Sequence, residues 1–234
     1  LENRSTPSVT NALTGQMPGV TVRQTSGSPG ADGGEIRIRG VGSFGATPSA
    51  LVLVDGIPGS LTDLHMEDIE SISVLKDAST AAIYGSRAAN GVILVTTKTG
   101  KIGKAKVNYN GYVGFSSATE LPQKVDTWEY ATLYNIANGL EVYSAAEIQK
   151  FKDGSDSDHY ANSRYLEELF HSGLQTGHDL SISGGTEGNK YMLSVGYLYQ
   201  DGIVDKNNYQ RFNARLNMVT DLWKNVTLTS RVQG

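Results

Sequence analysis

At 234 residues with 38% hydrophobic content, the chain is long enough for one large or two modest domains around a buried core. A formal charge of −4 with both signs mixed leaves no basic footprint for nucleic acid, and the lack of cysteine removes disulfide frameworks and thiolate metal sites. No apolar run reaches the roughly 18 residues of a membrane helix, which leaves open a membrane barrel, whose strands show only alternation.

In chain order, the first hundred residues alternate short apolar strands with Gly-, Ser- and Pro-rich turns, an α+β pattern. Strands are predicted near 20–23, 35–39, 51–54, 72–76 and 92–97, and short helices near 8–14, 65–69 and 78–84. The last helix lies in the tightest unit of the chain. Ile72 to Leu75 read as a strand, Asp77 can cap the next turn, and Ala78, Ala81 and Ala82 share one helical face; Gly85 supplies a left-handed stop before the return strand from Val92 to Val95. Gly40-Val41-Gly42-Ser43-Phe44-Gly45 spells a dinucleotide-binding fingerprint, but Ala46 to Ala50, with Pro48 among them, leave no room for the helix such a site needs. It reads as a flexible surface loop. Arg37 and Arg39 alternate with Ile36 and Ile38 and so share the polar face of a strand.

The pattern changes after a polar Gly/Lys stretch, dividing the chain into 1–100, a linker at 101–105 and a second portion at 106–234. From residue 106 period two dominates. Val107, Tyr109, Val113 and Phe115 share one strand face; Tyr191, Leu193, Val195, Tyr197 and Tyr199 share another. Phe212, Ala214, Leu216 and Met218 oppose Arg211, Asn213, Arg215 and Asn217, while Val226, Leu228 and Val232 oppose Thr227, Thr229, Arg231 and Gln233. A shorter strand holds Leu180 and Ile182. Connections alternate between tight turns at Gly184–Asn189 and Asp221–Asn225 and longer ones at 117–177 and 201–208. Within the longest, Thr127 is expected to cap a helix through Asn138, and Ser144 another through Lys152, with Glu147 completing a capping box. Two architectures fit this alternation: a soluble antiparallel sandwich and a membrane barrel. Segments of about 11 residues, against about 5–6 for an ordinary strand, and tyrosines at both ends of 190–200 suit the barrel.

No catalytic or metal constellation emerges. His65, His159, His171 and His178 have no ligand spacing, Asp153 to Asp158 lacks the calcium-loop pattern, and no serine sits in a G-x-S-x-G elbow.

Residues 68–98 closely resemble the signature of the SusC/RagA family of TonB-dependent outer-membrane transporters. The stretches 11–22, 36–42 and 51–58 resemble that family's plug domain in the same order, and 179–185 with 200–204 resemble the start of its barrel. The resemblance implies an α+β plug domain, entered partway, followed by the first five antiparallel strands of a transmembrane β-barrel, the chain being a fragment. It further implies a function: TonB-dependent import of an oligosaccharide or peptide across the outer membrane, gated by the plug, with TonB and a SusD-like surface lipoprotein as partners and neither cofactor nor enzymatic activity. Arg39, in Ile38-Arg39-Gly40, matches a plug arginine that pairs with barrel carboxylates, whereas Leu75-Lys76-Asp77 stands where many transporters carry a second one. Gly42, Ser43, Phe44, Gly45, Ile57 and Pro58 become the plug-apex candidates for substrate contact. The rival is a soluble adhesin or carbohydrate-binding module with a tyrosine-rich sandwich.

Overall fold

A computed structural model describes residues 6, 8–38, 49–76, 82–88, 90–162 and 164–234. The chain forms two compact units: Leu1–Phe115 with Leu174–Gly202 and Asn207–Gly234, and Ser116–Gly173 with Ile203–Lys206.

The first unit starts with a one-turn helix, α1 (Val9–Ala12), whose N-cap Ser8 accepts the Asn11 backbone N–H. A two-stranded ribbon follows, β1 (Val20–Gln24) against β2 (Gly34–Ile38), with Val22 opposite Ile36. Next comes a four-stranded sheet made of β3 (Leu51–Val54), β4 (Ile57–Pro58), β5 (Ile69–Leu75) and β6 (Val92–Thr97), in the order β4-β3-β6-β5. Strand β6 pairs parallel with β3 and antiparallel with β5, which suits its unbroken Val-Ile-Leu-Val run. Val9, Leu13, Ile36, Leu61, Leu64, Ile93 and Val95 meet in one core. Asp55 and Gly56, at φ +50 and +88, make the two-residue hairpin between β3 and β4, where both positions need positive φ. Between β4 and β5 the chain takes one 3₁₀ turn, Met66–Asp68. Short 3₁₀ turns also occupy Ala82–Tyr84 and Ser86–Ala88. Asp77, Ala78 and Ala81 lie outside the described residues.

The rest of this unit is an antiparallel meander of five long strands: β7 (Gly103–Ser116), β8 (Gly173–Gly185), β9 (Asn189–Asp201), β10 (Asn208–Trp223) and β11 (Val226–Gln233). Strand β7 begins within the stretch assigned to a linker. Strand β8 is as long as β9, although the sequence suggests a short one. Its glycines hide the alternation, and Gly177 is glycine because a Cβ there would lie 2.3 Å from the Tyr112 ring. The meander has a turn end, at 186–188 and 224–225, and a loop end, at 117–172 and 202–207.

The second unit holds three helices, α2 (Thr127–Asn138), α3 (Ala145–Asp153) and α4 (Tyr165–Leu169). Asp126, not Thr127, is the N-cap of α2; Glu129 returns to accept the Asp126 N–H at 3.0 Å, so the aspartate one residue earlier makes the capping box. Ser144 and Glu147 cap α3 as the sequence suggests. Hydrogen bonds from the Ser144 hydroxyl and backbone N–H hold the Glu147 carboxyl below its ordinary pKa. Edge-to-face contacts run from Tyr134 through Tyr143 and Phe151 to Tyr160 and form the small core of this unit.

Candidate functional site

The meander is built inside-out relative to a sheet in water. Val113, Phe115, Leu193, Val195, Phe212, Leu216, Leu228 and Val232 all stand exposed on one face. The opposite face carries Ser194, Gln200, Arg215 and Asn217, all buried. The polar side chains are therefore covered, by the α+β layer, while the apolar ones point away from protein. That assignment of faces contradicts a soluble sandwich, whose inner face must be the apolar one.

The polar face meets the α+β layer row by row. Residues two apart along a strand share a face, so successive rows lie about 7 Å apart. Nearest the loop end of the clamped rows, Leu198 pairs with Arg211, and Arg211 Nη1 donates to the Thr62 carbonyl at 3.0 Å. One row on, Gly196 lies between Asp179 and Asn213, and His65 Nδ1 stands 3.1 Å from Asp179 Oδ1. A Cβ at Gly196 would come within 2.9 Å of both flanking side chains, so glycine makes room for this polar pair. The third row is Ser194, Arg215 and Gln233. Asp68 closes over it: Ser194 Oγ donates to Asp68 Oδ1, Arg215 Nε donates to Oδ2 at 3.3 Å, and Arg215 Nη2 donates to Gln233 Oε1 at 2.7 Å. Asp68 is 3% exposed and Arg215 6%.

The fourth row pairs Asn217 with Arg231. Asn217 Nδ2 donates to Thr97 Oγ1 at 2.9 Å and to the Lys98 carbonyl at 2.7 Å. Thr97 in turn donates its N–H and its hydroxyl to Asp55 at 3.0 and 2.6 Å, and Arg231 Nε lies 3.6 Å from the same carboxylate. Those bonds hold Asp55 in its left-handed conformation at the hairpin. Strand β7 adds Asn110, which donates to Glu67 at 2.9 Å. One short segment, 62–68, is thus gripped by β7, β8, β9 and β10. Burial, reinforced by the Arg211 charge, presses the His65 imidazole down to about 4, so at neutral pH it stands beside Asp179 as a neutral ring, not as a cation.

A layer seated on the polar inner wall of an outwardly apolar meander is what a plug inside a barrel requires. The family model for the TonB-dependent receptor plug domain matches residues 1–92. The chain is 38% identical to the TonB-dependent receptor SusC of Bacteroides thetaiotaomicron over 231 residues, covering 94% of this chain and 22% of that protein. It is 36% identical to TonB-dependent receptor P3 of Formosa agariphila, over 98% of this chain and 21% of the relative. Its fold superposes on the RagAB peptide importer in the closed-closed state with a TM-score of 0.84 at 30% identity, covering 98% of this chain and 29% of that one. The chain belongs to the SusC/RagA family of TonB-dependent transporters. It spans about a fifth of the length of the curated relatives it matches.

For a chain of this family, the four rows are contacts between plug and barrel wall. Of the residues singled out in the sequence, Arg39, Gly42, Ser43, Phe44 and Gly45 lie outside the described residues. Ile57 and Pro58 form the edge strand β4, with Ile57 68% exposed, beside Arg215, Arg231 and Gln233. The contacts that the structure supplies have the opposite polarity to the expected lock: Asp55 and Asp68 come from the plug, and Arg215 and Arg231 from the wall. The signal was present in the alternation of β10 and β11, because arginines on the covered face of a strand need carboxylates opposite them.

Proposed function

We propose that this chain is the gated portion of an outer-membrane, TonB-dependent importer of the SusC type: residues 1–100 are plug, 106–234 open the barrel wall, and 101–105 join them. Imported nutrient is an oligosaccharide or a peptide, captured outside with a SusD-like lipoprotein and admitted when energised TonB draws on the plug. The single observation that carries this reading is the inside-out meander with its covered polar face matched row by row to the plug. Transport, and not catalysis, is the work such an arrangement does. Segment 62–68 is a two-state element, seated or released, and outside binding signals inward only by favouring one state over the other. Arg39 would add a further plug contact to the wall, and Gly42, Ser43, Phe44 and Gly45, with Ile57 and Pro58, would meet substrate.

In this topology the loop end faces outward and the turn end faces the periplasm. Single cysteines at Ser155 and Glu187 of the full-length protein should then differ in intact cells. Only the first is labelled by an impermeant thiol reagent, and the second reacts after permeabilisation. Equal labelling sinks the topology, and uptake that persists without TonB sinks the importer.

A further inference from the structure

Between the last plug strand and the first wall strand the chain does not hang free. Thr97 is fully buried and its hydroxyl accepts from the Asn217 amide; the Lys98 carbonyl accepts the second hydrogen of that amide, while the Lys98 N–H donates to the Asp68 carbonyl at 2.8 Å. Two residues on, Gly100 is buried and rests directly on the backbone of Tyr191, at the start of β9. A Cβ there would lie 2.4 Å from both the Tyr191 nitrogen and its carbonyl oxygen. Lys101 and Ile102 are exposed, and Gly103 begins β7. We propose that 97–100 is the fixed end of the plug: when segment 62–68 comes off the wall, this stretch stays on β9 and β10, and the plug rearranges about Gly100 instead of leaving as one body. The inference rests on the importer reading only for the release of 62–68.

The backbone of Gly100 is not left-handed, so closeness to Tyr191, and not an unusual φ, is what requires glycine there. Such a contact has no side chain to swing aside. A larger residue fits only if the whole chain lifts off β9. Asn217, 2% exposed, spends both of its amide hydrogens on Thr97 and Lys98, and buried bonds of this kind are costly to leave unmade, so they hold until the contact opens to water. Upstream, the stretch continues β6, the interior strand between β3 and β5, whose Val92, Ile93 and Val95 are buried. Segment 62–68 differs on each count. It follows β4, a two-residue edge strand, and it joins β5 where the pairing of β5 with β6 loses register, between Ile69 and Ser71. The bond from the Lys98 N–H to the Asp68 carbonyl is therefore the seam at which the movable part meets the fixed part.

The test loosens the plug of the full-length transporter in lipid vesicles with urea, below the concentration at which the barrel loses its heat-modifiable migration. Met66→Cys and Thr99→Cys, both at half-buried positions, are made separately, any native cysteine being replaced by serine, and their reaction with a maleimide is followed. Position 66 is expected to become reactive with a midpoint about 1 M lower in urea than position 99. Gly100→Val, added to Thr99→Cys, should bring that midpoint down to the one at position 66, whereas Gly188→Val, where a Cβ meets open space, should leave it in place. Equal midpoints, position 99 reacting first, or a position 99 that stays as protected in Gly100→Val as without it overturns the proposal. If Gly100→Val fails to assemble, the order of the two single variants still decides. TonB dependence of uptake is scored separately in cells, so failure of the importer reading would leave the order of loosening standing.

Discussion

Asp68→Ala is expected to unseat the plug more than any other single change in the described residues. It leaves Arg215 buried with no carboxylate and removes the acceptor of Ser194 at the same time. An uncompensated charge in such a site costs about 3–5 kcal/mol. Asp68→Asn keeps an acceptor for both donors and should be milder. Arg215→Met in the Asp68→Ala background removes the orphaned charge, so the double variant should recover much of the loss, a coupling that independent sites would not show. Full-length protein in planar bilayers should show basal conductance in the order Asp68→Ala, then Asp68→Asn, then wild type, with the double variant below Asp68→Ala. Unchanged conductance in Asp68→Ala, or strictly additive effects, would remove Asp68 from the seal.

The second large effect is expected on the other face of the same strands. Val195 is 49% exposed, midway along β9 between Tyr191 and Tyr199. In a bilayer, Val195→Arg places a cation near the hydrocarbon midplane and costs about 2–4 kcal/mol, whereas Tyr199→Arg, nearer the loop end, costs about 0–1. On a protein in water, a half-exposed valine changed to arginine stays within about 0.5 kcal/mol. Folding equilibria of the full-length protein in lipid bilayers, measured in urea, separate the two. A neutral Val195→Arg would return the meander to the soluble sandwich.

Much of this architecture was legible in the residues because each element carries its own local period. Alternation in β9 and β10 revealed the face that is apolar, and Ser144 with Glu147 announced a helix start through contacts three residues apart. The core strands of the plug were readable from short apolar runs between turn residues. Strand β8 was underestimated because Gly177, Gly184 and Gly185 carry no side chain to alternate. The alternation showed that the strand arginines need carboxylates, but not which ones seal against them. Asp68 finds Ser194 and Arg215 across 126 and 147 residues of sequence, and no local pattern encodes which buried arginine meets which carboxylate. Nor could the alternation alone say which face would be covered, since a sandwich and a barrel write the same period with opposite burial.

In the proposed function, segment 62–68 is seated on the wall at rest and leaves it during uptake. Glu67 and Asn110 touch at an exposed edge of that contact, within hydrogen-bond distance at 2.9 Å. Glu67→Cys and Asn110→Cys, introduced together into the full-length transporter and bridged in cells by a short thiol-specific crosslinker, tie the segment to β7. Solute binding should persist and TonB-dependent uptake should stop, while each single-cysteine variant treated the same way continues to transport. Uptake at the wild-type rate through a fully bridged protein would contradict the account.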